Sequence, residues 1–284
     1  MHTILRIVKS NLLPRFLVGL LIAFFLYCGV AGRSRNDSSP ANHLLQTALA
    51  SEFSSGEDYT DQLVEYAKTD HIALLQYARE HYHKRIQDYS ATLVKQERIN
   101  NTLKPVETVD LLFKERPFSV LMTWKKNPGK VDKLLYAEGR YDNKMIVHPT
   151  GLLSWLKSAR RDPRSKEVRQ SSLRTCDQFG FYRSMDSLLQ IYTLAQTRGD
   201  LRIGYVGKTL VDKRPCIAME RLLPAKKEYP YARLVMEFDV EYLVPTAITS
   251  YDWQGRLVGR YMYKNLRFNL GLTQDMFTTE ANGL

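Results

Sequence analysis

FKERPFSVLMTW, Phe113–Trp124, opens charged, turns at Arg116-Pro117 and then becomes a run of large apolar side chains. Through Ser119–Trp124 an extended chain points successive side chains to opposite faces. Val120, Met122 and Trp124 fall on one face; Leu121 falls on the other with Ser119 and Thr123. The segment therefore reads as a strand. Two readings of the Val-Met-Trp face follow: it fills an ordinary core, or it lines a cavity that takes an apolar ligand.

The same period extends outward. Tyr89, Ala91 and Leu93 alternate with Ser90, Thr92 and Val94. Val106–Glu115, Phe118–Trp124, Lys133–Glu138 and Lys144–Val147 follow, separated by Asn100-Asn101, Arg116-Pro117, Asn127-Pro128-Gly129 and Asp142-Asn143. Strand-like runs between such turn signals predict an antiparallel meander. A second series covers Leu201–Val206, Cys216–Leu222, Ala232–Phe238, Thr246–Trp253 and Leu257–Phe268, with a tight turn at Asp252–Gly255. Before the strands, Tyr59–Gln87 carries Leu63, Ala67, His71, Leu74, Ala78, Tyr82 and Ile86 at helical steps. Thr69-Asp70 breaks this helix, with Asp70 capping the second part. Gly151–Ser158 reads as a helical turn and Ala159–Gln178 as a polar, basic loop. Ser184–Gln196 reads as a helix capped by Ser184. These elements predict an α+β fold: a strongly curved antiparallel sheet with helices covering its concave face, preceded by N-terminal helices.

The chain has 284 residues, 44% of them hydrophobic and 25% charged, with a formal net charge of +11. That balance suits one or two folded domains and points to anionic partners. The first residues decide among those partners. Arg6, Lys9 and Arg15 precede an apolar stretch, Phe16–Ala31, which ends in small residues and turns polar at Gly32–Asn42. This is the pattern of an export signal, cleaved after Gly29-Val30-Ala31 or kept as an anchor. Cys28 raises lipidation as a third reading, against which Tyr27 stands. Residues 1–32 are thus expected to be a signal peptide or membrane anchor, residues 33–58 a leader with a short helix at Asn42–Phe53, and residues 59–284 the folded domain. Export to the periplasm, or to the periplasmic face of the membrane, demotes nucleic acid as a partner. It also lets Cys176 and Cys216 form a disulfide, the alternative being two small buried thiols.

Motifs for catalysis are sparse. Gly207-Lys208-Thr209 resembles the end of a phosphate-binding loop, but Arg202 stands where that loop needs its first glycine. His81 and His83 lie two apart on a helix and point in different directions, so they suit a solvated helix end better than a shared metal. His148 reads as structural. Neither an enzyme nor a cofactor is expected. The basic segment Ser158–Arg174 is either a solvated loop or a contact for anionic lipid head groups. Met and aromatic residues crowd the strands, which suits a core and equally an adaptable apolar pocket.

YSATLVKQERI (Tyr89–Ile99), FKERPFSVLMTW, YAEGRYDNKMIVH (Tyr136–His148) and YVGKTLVDKRPCIAME (Tyr205–Glu220) resemble an uncharacterised family of exported bacterial proteins, a domain of unknown function. The likeness runs through most of Tyr89–Phe277. The ending is similar to the LolA/LolB type of lipoprotein carrier: Val244-Pro245, Tyr251–Arg256, Tyr263–Leu266 and Asn269–Leu272 before Phe277. That resemblance implies an open antiparallel half-barrel with helices in its mouth and a cavity for acyl chains. The chain differs from the periplasmic carrier in its longer helical N-terminus and its basic insertion. Val120, Met122, Trp124, Tyr136, Met219, Leu234, Met236 and Phe238 are the expected ligand-binding residues, and Arg160, Arg161 and Arg164 the expected head-group contacts. The expected function is non-enzymatic binding of a lipid or lipoprotein acyl chain, with contact to the membrane surface. The alternatives are an envelope sensor or protein-interaction module and, third, a hydrolase of cell-wall or lipid substrates.

Overall fold

The computed structural model describes residues 56–284. The export signal or anchor, Cys28 and the short helix at Asn42–Phe53 lie outside the described residues. Among the described residues no helix is long and apolar enough to cross a membrane.

The chain first forms α1 (Gly56–Thr69) and α2 (His71–Arg85). Asp70 leaves helical geometry between them, and its Oδ1 accepts the Ala73 N–H at 2.9 Å. This satisfies one orphan donor of the new helix, as the sequence predicts. Seven strands follow: β1 (Asp88–Ile99), β2 (Thr102–Leu103), β3 (Glu107–Lys114), β4 (Ser119–Lys126), β5 (Val131–Ala137), β6 (Met145–Pro149) and β7 (Ala159–Arg161). The short helix α3 (Lys166–Arg169) and the longer α4 (Phe181–Thr197) separate them from β8 (Arg202–Val211), β9 (Arg214–Leu222), β10 (Arg233–Asp239), β11 (Pro245–Tyr251) and β12 (Leu257–Phe268). The chain ends in α5 (Thr279–Asn282).

All strands join one antiparallel sheet in the order β7-β6-β5-β4-β3-β1-β12-β11-β10-β9-β8, with β2 paired to β1. The first and last long strands, β1 and β12, meet in the middle, with Leu93 opposite Tyr263. Each meander then runs outward to its own edge. The edges β7 and β8 do not pair, so the curved sheet stays open. The fold is the expected α+β half-barrel.

Two local expectations change. Ala159–Gln178 is not simply a loop: it supplies β7, α3 and a 3-10 turn at Cys176–Gln178, and β7 together with β2 brings the sheet to twelve strands. Ser184 is not a helix cap, since α4 starts a turn earlier behind Gly180. Ser184 is instead buried, and its Oγ accepts a 2.9 Å hydrogen bond from Arg174 Nη1. Gly180 has a φ of 100°, and a Cβ there would stand 2.5 Å from Phe113 Cζ. Close approach and backbone angle both demand glycine at this junction.

The two faces of the sheet bury different things. On the inner face, α1 packs on β8 and β9, while α2 packs on α1 and α4. Phe181, at the start of α4, meets the rings of Tyr82, Tyr89 and Tyr263 and joins the helices to the central strands. On the outer face, Leu121, Leu135 and Ile146 are covered by Leu272 and Phe277 of the C-terminal segment. Lys114 and Lys133 pin that segment through the carbonyls of Leu272 and Asn282, at 2.7 Å each.

Candidate functional site

Strand alternation sends Leu93 of β1, Val109 of β3, Met122 and Trp124 of β4, Leu134 of β5, and Met145 and Val147 of β6 to the inner face. They form one wall of a cavity of about 900 Å³. The opposite wall comes from the segment between β7 and α4, with Val168, Cys176 and Phe179, and from Phe181 at the start of α4. Ile248 and Tyr263 close the side towards β11 and β12. The size falls within the range of small-molecule sites, ~300–1,000 Å³.

One end of the cavity is polar. The face that carries Tyr89, Ala91 and Leu93 continues to Lys95 and Glu97 by the same two-residue step. Lys95 Nζ lies 3.2 Å from Glu97 Oε2 and 3.3 Å from Glu107 Oε2. Glu97 is buried, but it accepts hydrogen bonds from Tyr261 OH at 2.5 Å and from Ser172 Oγ at 3.1 Å. Trp124 Nε1 donates to Glu107 Oε2 at 2.5 Å. Buried charge is tolerated here because each carboxylate has both a cation and a neutral donor. Burial, with the Glu97 carboxylate second, pushes the Tyr261 hydroxyl well above its usual range, so it stays a donor. The Arg174 guanidinium sits 5.9 Å over the Tyr261 ring. Exposed Lys104, Lys130, Arg161 and Glu167 form the rim. An apolar barrel with one polar end and a mostly cationic rim suits an amphiphile with an anionic head.

The expected residues divide. Met122 and Trp124 line the cavity. Val120 and Tyr136 do not: they pair across β4 and β5 and pack in the aromatic cluster of Phe113 and Phe118, fully filled from above by the start of α4. Met219, Leu234, Met236 and Phe238 are likewise core residues, at most 2% exposed, on the half of the inner face that the helices cover. Of the three arginines, Arg161 lines the cavity. Arg160 reaches Asp142 at 3.3 Å, and Arg164 is held by the buried Asp177 at 2.9 Å. The expected disulfide is not formed. Cys176 is a free thiol beside Met145 on the inner face, while Cys216 packs with Val211 and Ala247 on the outer face of β9. The sheet itself separates them. Burial pushes the Cys176 thiol up to about 12, which makes it unreactive.

Sequence reasoning missed the polar end. Its signal was present: Lys95 and Glu97 occupy positions that the alternation of β1 assigns to the inside. Among the described residues no three His, Cys, Asp or Glu side chains converge as metal ligands. His148 pairs with Asp132 at 2.6 Å, and His83 lies against Arg116 and Tyr182.

No curated protein matches the chain. Several solved structures do. The MucA/MucB complex of Pseudomonas aeruginosa aligns at 13% identity and a TM-score of 0.45, covering 74% of this chain and 61% of that one. The chain therefore spans about three fifths of the MucB structure. The LolA superfamily protein NE2245 of Nitrosomonas europaea aligns at 12% identity and a TM-score of 0.34, over 72% of this chain and 98% of that one. The Mycobacterium tuberculosis lipoprotein LppX aligns at 11% and 0.39, over 71% and 97%. Residues 86–282, from the end of α2 to α5, match the family described as protein of unknown function (DUF1571), and the chain belongs to that family.

Proposed function

We propose that the domain binds a lipid, or the acyl chains of a lipoprotein, without covalent chemistry, in the cell envelope. The carrying observation is the cavity of about 900 Å³, walled by Leu93, Val109, Met122, Leu134 and Phe181 and polar at one end. Binding there needs only buried apolar area, worth ~25 cal/mol per Å². Arg174 and Arg161 give an anionic head group a place at the polar end and rim. The basic start and apolar stretch of residues 1–31 support export, with the domain assigned to residues 59–284.

The test is extraction. The protein is exported to a periplasm, purified without detergent, extracted with organic solvent, and the extract weighed by mass spectrometry. One lipid per chain is the expected result, with its class read from the mass. A blank extract, repeated after lipids and acylated peptides have been offered, overturns the proposal in favour of a protein-interaction module.

A further inference from the structure

The 3-10 turn Gly151–Leu153 joins β6 to β7 beside the cavity mouth. Leu152 is 96% exposed and Trp155 76%, the two most exposed large hydrophobic side chains among the described residues. Single exposed apolar residues are ordinary on a protein surface. Here three stand within four positions, because Leu153 is half exposed as well. Leu153 also lines the cavity, as does Pro149 at the end of β6, so the apolar tip is continuous with the cavity wall.

The charge around the tip has one sign in excess. Exposed Lys157, Arg161, Lys166 and Arg169 follow it, and among the described residues none of these four has an acidic partner. Glu167 lies 4.0 Å from Lys130, and Asp162 accepts the Arg164 N–H. Exposed leucines, an exposed tryptophan and then unpaired cations along one segment match what an anionic bilayer surface takes up. There the acyl region takes aliphatic side chains, the head-group level takes the indole, and anionic lipids attract Lys and Arg. An acidic protein would satisfy the cations but gives no reason for the fully exposed aliphatic apex.

We infer that residues 151–155 dock on an anionic membrane, with the cavity mouth held against the lipid surface. This does not require that the cavity hold a lipid. A chain that docks but yields a blank extract sinks the function proposed above and leaves the docking surface standing, and the converse separates them equally.

The experiment uses the full chain and vesicles of phosphatidylglycerol and phosphatidylethanolamine with brominated acyl chains. Emission from Trp155 is isolated as the difference between wild type and Trp155→Phe, because bromine quenches only an indole that enters the bilayer. The expected result is quenched, blue-shifted Trp155 emission that is lost in phosphatidylcholine vesicles and at ~1 M salt. Replacing Lys157, Lys166 and Arg169 with Gln should raise the anionic lipid needed for half-maximal quenching by about fivefold per cation. Leu152→Asp, at a position with almost no contacts to lose, should abolish the quenching without unfolding the domain. Equal Trp155 emission in brominated and plain vesicles overturns the proposal, as does quenching that survives Leu152→Asp unchanged.

Discussion

The two halves of the sheet share one architecture and use their inner faces differently. From β10 to β8 the inner face lies under α1 and the helices packed with it, and Met236 and Phe238 have no exposure left. From β1 to β7 the inner face meets the first turn of α4 and the irregular segment before it, and a cavity remains beside them. The outer face compensates: the C-terminal segment is laid across β4 and β5, so the open half is braced from behind. A regular helix presents a continuous apolar stripe that fills the groove of a curved sheet. A segment of short turns pinned by Asp177, Ser165 and Thr175 cannot, and space is left beneath it. The lesson is that apolar strand faces become core or cavity according to what lies on them.

The largest expected contrast comes from truncating one residue in each half. Phe238→Ala should cost about 3–5 kcal/mol of stability, as large core truncations do, and Met122→Ala about 2 kcal/mol or less, since Met122 already borders a void. Urea denaturation reads both, and equal costs would break the distinction between the halves. Gly180→Ala tests the junction between them. Backbone strain of about 1–3 kcal/mol and overpacking against Phe113 of similar size predict a loss of roughly 2–6 kcal/mol in the same assay. A variant as stable as wild type would show that the junction is soft. Trp124→Ala acts on the open half alone. Removal of roughly 60 Å² of apolar wall at about 25 cal/mol per Å² should weaken lipid binding about tenfold, read by titration with a fluorescent fatty acid. Unchanged affinity would return Trp124 to plain core.

The smallest effect is on pH, and it belongs to the covered half. Burial, with Arg85 second, holds His81 down to about 4, and burial also lowers His71. Both histidines are neutral in the folded domain, whereas an unfolded histidine takes its proton near ~6.5. The His81 contribution to stability is therefore complete above ~6.5 and is lost as the pH falls from there through about 4, and His71 acts in the same direction. Denaturation midpoints at pH 7 and pH 5 should differ in that direction, and His81→Gln should shrink the difference. A variant with the full wild-type pH slope would assign the dependence to other groups.

Much of the architecture was legible because it rests on local physics. Two-residue alternation located the long strands, and the helix break at Asp70 was visible as a capping side chain in a helical run. The site was half legible for the same reason. Alternation put Met122 and Trp124 inside, but it put Val120, Met236 and Phe238 inside on the same grounds, since it assigns a face and not what covers that face. The same step, carried on to Lys95 and Glu97, puts two charges inside, a placement that makes sense only once Glu107, Ser172 and Tyr261 are there to satisfy them. The Cys176–Cys216 pairing failed because compartment and count say nothing of the sheet that stands between the two thiols.

By itself, then, the sequence determined the strands, their faces, the leading helices and the basic character of the segment before α4, because each follows from neighbours a few residues apart. Tertiary structure alone decided that β1 would pair with β12, that helices would fill one half of the curve, and that the other half would stay hollow. Those outcomes depend on contacts between residues far apart in the chain, such as Lys95 with Tyr261 across the central pair and Phe113 with Gly180 above it. No local period carries that information.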